Sequence, residues 1–137
     1  MIQPALKEGS GKVILLVDDE RSLLKVMSLY LGRLGYEVRT ADSTDRAWAE
    51  TGPAARELDL AVLDASMPGL RAEDLAARLL AANPRLRLIL SSGYPVDIGA
   101  LEARAPGRVM FLHKPFLAEE LAAVLRRMLG AKKEEGI

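Results

Sequence analysis

The stretch KVILLVDDE, residues 12–20, decides the fold of this chain, because an unbroken apolar run ends abruptly in three acids. Residues 12–17 are rich in Val, Ile and Leu, which is typical of a strand buried on both faces of a sheet. Such strands belong to parallel sheets that are covered by helices on both sides. Asp18, Asp19 and Glu20 then follow the carboxyl end of this strand.

The rest of the chain alternates the same strand pattern with helical spacing. After residues 12–17, strands are predicted at 36–41, 58–64, 86–91 and 108–113. Helices are predicted at residues 21–34, 44–50, 73–83, 96–105 and 117–129, of which 96–105 has the weakest pattern. Five strands alternating with five helices predict one α/β domain, a doubly wound parallel sheet in three layers.

Local signals predict where two of the helices begin and end. Gly35 follows the last apolar residue of the first helix and is a candidate C-cap. Asp42 and Thr44 are candidate N-caps of the second helix, and Gly52-Pro53 is expected to end it.

Composition restricts the class of protein. The 137 residues suffice for one domain, which we expect at residues 12–130 between a flexible leader at 1–11 and a flexible tail at 131–137. The absence of cysteine excludes disulfide scaffolds and thiolate metal sites. Nineteen basic and nineteen acidic residues give no net charge, which argues against a surface built for nucleic acid or membranes. No apolar run near the N-terminus is as long as a membrane span, so we expect a cytoplasmic protein.

Polar residues follow four of the predicted strands, where an open parallel sheet binds its ligands. Asp18 and Asp19 follow the first strand, Asp64 ends the third, Ser91-Ser92 follow the fourth, and Lys114 follows the fifth. Crowded carboxylates need a counter-charge, which Lys114 and a divalent cation such as Mg²⁺ would supply. A carboxylate beside Mg²⁺ can itself attack a phosphoryl group and form an acyl phosphate. These groups therefore indicate phosphoryl transfer to an aspartate.

Four motifs then resemble one family. VDDE at residues 17–20, DASMPG at 64–69, SSGYP at 91–95 and HKPF at 113–116 are similar to the motifs of bacterial response-regulator receiver domains, the phosphoacceptors of two-component signalling. The resemblance covers residues 13–129. It implies the flavodoxin-like fold of chemotaxis regulators, a five-stranded sheet in the order 2-1-3-4-5.

The resemblance implies a phosphorylation site and a metal site. Asp64 corresponds to the aspartate that accepts the phosphoryl group. Asp19, Asp64 and the backbone carbonyl of Ser66 correspond to direct ligands of Mg²⁺, with Mn²⁺ as a substitute, and Asp18 corresponds to a ligand acting through water.

Other positions correspond to residues that bind or sense the phosphoryl group. Lys114 would contact it, through a loop in which the Lys114–Pro115 bond is cis. Ser92 is favoured as the switch hydroxyl because it precedes Gly93, and Ser91 stays the alternative. Phe111 occupies the aromatic switch position, where tyrosine is commoner.

Two further positions and one departure complete the correspondence. Ser66 and Tyr94 fall where the family tunes the lifetime of the phosphoryl group. Ala72 stands where a glycine commonly follows the Met-Pro-Gly loop.

The resemblance also implies partners. The donor would be a histidine kinase or a histidine phosphotransfer protein, and a downstream protein would read the surface of the fourth helix, fifth strand and fifth helix. Dimerisation on phosphorylation is a further expectation, whereas direct contact with nucleic acid or a membrane is not expected. The chain would be a stand-alone regulator or a receiver cut from a hybrid histidine kinase.

Two alternatives stay open. Both differ from a receiver, which is not an ordinary enzyme, because a receiver catalyses only its own phosphoryl uptake and slow autodephosphorylation. The first alternative is a Mg²⁺-dependent phosphohydrolase with an aspartyl nucleophile, although such enzymes need an acid where this chain has Ser66. The second is a receiver that works as a scaffold without being phosphorylated.

Overall fold

Within residues 8–130, which the computed structural model describes, five strands alternate with five α-helices. The strands are β1 (Val13–Val17), β2 (Glu37–Ala41), β3 (Leu60–Asp64), β4 (Arg87–Ser92) and β5 (Val109–His113). The α-helices are α1 (Arg21–Arg33), α2 (Thr44–Thr51), α3 (Ala72–Ala82), α4 (Gly99–Arg104) and α5 (Ala118–Leu129), with a 3₁₀ helix at Gly52–Glu57 after α2.

The strands form one parallel sheet in the order β2-β1-β3-β4-β5, which confirms the predicted fold. Neighbouring strands pair with Val17 opposite Leu63 and with Asp64 opposite Ser91. All five residues of the central strand β3 are buried. Because the strands are parallel, their carboxyl ends share one edge of the sheet, and the residues that follow them meet there.

Two apolar layers cover the sheet. On one face, Ile14, Leu16, Val62 and Ile89 pack against α1 and α5. On the other face, Leu15, Val17, Leu63 and Leu90 pack against α2, α3 and α4. This alternation of side chains between faces explains why the strands read as continuous apolar runs. Among the residues described, no helix is both long and apolar enough to cross a membrane.

The helix ends agree with the sequence signals in part. The C-cap of α1 is Leu34, and Gly35, the predicted candidate, is the residue after it, with φ of 100°. The N-cap of α2 is Ser43, whose hydroxyl accepts the backbone N–H of Arg46 at 3.1 Å, so Asp42 and Thr44 were the wrong candidates. The α-helix ends at Thr51, as Gly52-Pro53 predicts, but the chain continues into a 3₁₀ helix that begins at Gly52, because Pro53 fits the first turn of a helix.

Residues before the predicted start of the domain contact the rest of the chain. The backbone N–H groups of Gly9 and Gly11 donate to the carbonyls of Leu34 and Gly35 at 2.8 and 2.9 Å. Residues 8–11 therefore pack against the connection between α1 and β2, which differs from the expected leader at 1–11. Residues 1–7 and the expected tail at 131–137 lie outside the described part of the chain.

Candidate functional site

Four strands deliver the predicted site residues to one edge of the sheet. Asp18 follows β1, Asp64 is the last residue of β3, Ser92 is the last residue of β4, and Lys114 directly follows β5. Residues far apart in the chain thus meet because four parallel strands end at the same edge.

Three carboxylates form the centre of the site. Asp18, Asp19 and Asp64 each offer an oxygen atom, and these atoms lie within 4.8 Å of one another. Asp64 and Asp18 are buried, with 2% and 4% of their surface exposed, whereas Asp19 is exposed. Hard divalent cations prefer carboxylate oxygens, and Mg²⁺ in particular retains several waters. These carboxylate oxygens are suitable ligands for Mg²⁺. Asp18 and Asp64 are buried, and the exposed Asp19 faces solvent, from which the ion can keep its waters.

Lys114 neutralises the two buried acids. Its Nζ lies 2.7 Å from Asp18 Oδ2 and 3.3 Å from Asp64 Oδ2. Burial by itself lowers the pKa of Lys114, but its hydrogen bonds and charge interactions with Asp18 and Asp64 outweigh burial and raise it above the ordinary value. The ammonium therefore stays charged while it bridges both acids.

Asp18 is the acid whose charged form is disfavoured by burial in this bridge. Burial raises its pKa above the ordinary value, although the hydrogen bonds from Lys114 and from the Glu20 N–H act in the opposite direction. The Asp64 charge raises it further. Two like charges share a site with only one ammonium between them, which leaves a place for a further cation.

The loop after β3 holds the Asp64 carboxylate. Ser66 donates twice to Asp64 Oδ1, through its backbone N–H at 2.9 Å and its hydroxyl at 2.7 Å. With the ammonium of Lys114 on Oδ2, both oxygens of Asp64 are engaged. These bonds fix the orientation of the carboxylate before it meets an electrophile.

The two serines at the end of β4 point to opposite faces of the sheet, as strand alternation predicts. Both are buried. Ser91 lies opposite Asp64 in the strand register. Ser92 shares its face with Leu90, and Leu90 lies opposite Phe111 in β5. The Ser92 hydroxyl accepts the backbone N–H of Tyr94 at 3.2 Å.

The remaining predicted residues lie at the rim of the site. Phe111 is half-buried and packs edge-to-face against His113, with ring centroids 6.3 Å apart. Tyr94 is 56% exposed. The Lys114–Pro115 peptide bond is cis, as the resemblance implies.

A groove beside Lys114 was not predicted from the sequence. It encloses about 570 Å³ between α1 and the residues that follow β5. Its apolar wall includes Leu23, Val26 and Phe116, and Val26 is 55% exposed. The exposure of these side chains beside a charged site becomes visible only in three dimensions.

A second missed contact joins the Asp64 loop to α2. The Thr44 hydroxyl donates to the backbone carbonyl of Leu70. Thr44 had been considered only as a helix cap, and nothing in the local sequence pairs it with a residue 26 positions away.

Comparison with known proteins gives a consistent result. A family model described as the response regulator receiver domain matches residues 14–126. The DNA-binding transcriptional regulator NtrC of Azospirillum brasilense is 35% identical over 122 residues, which is 89% of this chain and 25% of that protein. The sensor kinase CckA of Brucella abortus is 30% identical over 128 residues, 93% of this chain and 14% of that protein.

The fold comparison agrees. The structure of the chemotaxis protein CheY4 of Vibrio cholerae superposes with a TM-score of 0.73 at 26% identity, covering 86% of this chain and 98% of that one. The chain thus matches nearly the whole of a small regulator, while it spans at most a quarter of the two curated relatives.

Proposed function

This chain belongs to the family of response regulator receiver domains, and from that premise we propose that it accepts a phosphoryl group from a phosphohistidine onto Asp64. The observation that carries the proposal is the Asp64 carboxylate itself, buried at the end of β3, bonded to Lys114 and within reach of Asp18 and Asp19. Such a carboxylate is oriented before any donor arrives.

The proposed transfer is a displacement at phosphorus. An oxygen of Asp64 forms the new P–O bond, the P–N bond of the phosphohistidine breaks, and the imidazole leaves with the electron pair and takes a proton from water. Lys114 moves from its bridging position to the phosphoryl oxygens and balances their charge. No general base is required because Asp64 attacks as an anion.

Receiver domains generally bind Mg²⁺ at an acidic cluster, and the donor set of this chain fits it. We assign Asp19, Asp64 and the Ser66 carbonyl as direct ligands and Asp18 as a ligand through water. When bound, Mg²⁺ neutralises charge on the phosphoryl oxygens, and Mn²⁺ would serve in its place.

The phosphorylated state would be sensed by Ser92 and Phe111. Ser92 is the better candidate than Ser91 because it shares a face of the sheet with Phe111. Its hydroxyl would turn towards the phosphoryl group and leave space into which the half-buried ring of Phe111 moves. The surface formed by α4, β5 and α5 would change accordingly, and Ser66 and the exposed Tyr94 would tune how long the phosphoryl group survives.

The donor would dock beside the site. Family membership points to a histidine kinase or a histidine phosphotransfer protein as partner. The groove between α1 and Phe116 opens directly at Lys114, and the exposed Val26 offers apolar contact area there. A helix of the donor laid in this groove would bring a histidine over Asp64.

The relatives suggest the kinds of signalling protein in which this domain would work. One of them is a DNA-binding regulator and another is a sensor kinase, so the domain would serve as a stand-alone regulator or as the receiver of a hybrid kinase. A phosphorylation-dependent dimer, a downstream protein target and a cytoplasmic location belong to the same proposal. Its own chemistry would be limited to phosphoryl uptake and slow autodephosphorylation.

Phosphoryl uptake from a small donor tests the proposal. The protein is incubated with phosphoramidate or acetyl phosphate and Mg²⁺, and its intact mass is recorded. We expect one phosphoryl group per chain in the wild type and in Asp74→Asn, a control that changes an exposed acid on α3. Asp64→Asn should remain unlabelled.

Three outcomes would contradict the proposal. Equal labelling of Asp64→Asn would reject the acceptor. Sustained release of phosphate from phosphomonoesters would favour the phosphohydrolase. Absence of both labelling and Mg²⁺ binding in the folded wild type would favour the scaffold.

A further inference from the structure

The loop between β3 and α3, residues 65–71, carries the Ser66 groups that hold Asp64. It leaves the sheet at Asp64 and returns at Ala72, the first residue of α3. Ser66 fixes the start of this loop through its two bonds to Asp64. A free connection of this length would still adopt many backbone conformations unless its far end were also fastened.

The far end of the loop is fastened to the first turn of α2. The Thr44 hydroxyl donates to the carbonyl of Leu70 across 26 residues of sequence. Thr44 is completely buried, with 0% of its surface exposed. The capping of α2 is performed by Ser43, so the hydroxyl of Thr44 is not needed by its own helix. Its role is tertiary.

Gly69 shows how closely the loop approaches α2. Its φ of 89° is a conformation that favours glycine, and a Cβ atom there would lie 2.7 Å from Asp45 Oδ2. The loop backbone therefore rests directly against the first turn of α2. Thr44 on α2 and Gly69 in the loop therefore lie on the two sides of the same contact.

We propose that Thr44 is a positioning residue for the metal site, acting through the loop that it ties to α2. This inference rests on the proposed function and adds to it a residue outside the motifs. Mg²⁺ requires near-ideal octahedral geometry, so a ligand on a mobile loop must be ordered when the metal binds. With Thr44 in place, the Ser66 carbonyl is already held near Asp64, and that ordering cost is removed from binding.

Three variants isolate the contact. Thr44→Val keeps the shape of the side chain and removes the hydroxyl, while Thr44→Ser restores a hydroxyl. Thr51→Val is the matched control, since Thr51 is also buried and lies at the opposite end of α2, about 10 Å along the helix axis.

Mg²⁺ binding is measured by calorimetry, and amide hydrogen exchange of residues 65–71 is measured in the metal-free protein. Because partners that orient metal ligands typically change affinity about 10- to 100-fold and Thr44 acts through backbone, we expect about tenfold weaker Mg²⁺ binding in Thr44→Val. Exchange in residues 65–71 should accelerate. Thr44→Ser should recover both properties, and Thr51→Val should leave both unchanged even if it unfolds at a lower temperature.

Phosphoryl uptake separates this inference from the proposed function. In Thr44→Val, the Mg²⁺ concentration for half-maximal uptake should rise about tenfold, and the uptake rate at saturating Mg²⁺ should stay within about twofold of wild type. Wild-type Mg²⁺ affinity and loop exchange in Thr44→Val would overturn the inference while leaving Asp64 as the acceptor. A folded wild type that neither binds Mg²⁺ nor becomes labelled would overturn both.

If Thr44→Val does not fold, Gly69→Ala tests the same contact from the loop side. An alanine is strained at the φ of 89°, and its methyl group meets the Asp45 carboxylate, so the loop side of the contact is disturbed without changing any residue of α2. Weakened Mg²⁺ binding in Gly69→Ala supports the inference, and unchanged binding overturns it.

Discussion

At the scale of single residues, the buried part of the site carries more negative than positive charge. Two buried acids share one ammonium, with Lys114 closer to Asp18 than to Asp64. A divalent cation would relieve this imbalance, whereas a phosphoryl group on Asp64 would add negative charge that the cation and Lys114 offset. The imbalance also has a measurable consequence for the metal-free protein.

We expect ionised Asp18 to destabilise the metal-free fold. Burial raises the folded-state pKa of Asp18 above its ordinary value of 3.8, so the folded protein binds its proton more tightly than the unfolded chain does. This contribution to stability is unfavourable above the folded pKa and disappears as the pH falls below 3.8. Urea unfolding in EDTA should show the wild type gaining stability relative to Asp18→Asn as the pH falls from 7. Parallel curves for the two proteins would contradict this.

The two serines of β4 make a matched pair for testing the switch. Ser92→Ala should become phosphorylated, but the NMR shifts of Phe111 and α4 that follow beryllofluoride and Mg²⁺ should shrink to a small fraction of those in wild type. Ser91→Ala should retain them, because Ser91 lies on the other face of the sheet. The reverse pattern would assign the switch to Ser91.

At the scale of elements, α4 is the least anchored helix of the described chain. It has six residues and one buried side chain, Leu101, whereas α5 has twelve residues and four buried side chains. The sequence predicted a helix over residues 96–105, but residues 96–98 precede the helix and are not part of it. A helix this short depends on tertiary contacts and is easily displaced.

Hydrogen exchange should reveal this difference. The amides of α4 are expected to exchange at least about tenfold faster than those in the centre of α5, since local opening of α4 exposes little apolar surface. Native-state exchange followed by NMR measures both helices in one experiment. Equal protection of α4 and α5 would show that α4 is as firmly held as the rest of the fold.

The α2 region shows where sequence reasoning stops. Asp42, Ser43 and Thr44 are three consecutive residues with good capping side chains, and local propensity does not decide among them. The course of the chain out of β2 selects Ser43, which frees Thr44 to bond the loop at Leu70. By contrast, Asp18, Asp64 and Lys114 were predictable because the ends of parallel strands always share an edge.

At the scale of the whole molecule, the start of the described chain ties two layers together. Arg126 of α5 lies 3.0 Å from Glu8 Oε1, and the Tyr36 hydroxyl donates to Glu8 Oε2 at 3.4 Å. A Cβ atom at Gly9 would collide with the backbone nitrogen of Tyr36, so the chain passes closely there. The composition of residues 1–11 predicts a flexible leader. A local sequence pattern cannot predict contacts with residues far along the chain, such as those of Glu8 with Tyr36 and Arg126.

The pKa of Tyr36 is sensitive to the contacts among Glu8, Tyr36 and Arg126, which we call the junction. Burial, followed by the nearby charge and hydrogen bond of Glu8, raises the pKa of Tyr36 to about 12. The folded form therefore loses stability between pH 10 and 12, where the unfolded chain has already released the proton. In Glu8→Gln, the pKa from phenolate absorbance should fall but stay above 10, because burial is the larger cause. An unchanged titration would remove Glu8 from the junction.

Chemical identification of the phosphorylated residue tests whether Asp64 is the phosphoryl acceptor. After incubation with Mg²⁺ and a small phosphoryl donor, borohydride reduces an aspartyl phosphate to homoserine, and peptide mass spectrometry locates the reduced residue. We expect reduction at Asp64 alone, and we expect it to be abolished when Mg²⁺ is removed with EDTA. Reduction at Asp18, at Asp19 or at a carboxylate outside this cluster would contradict it.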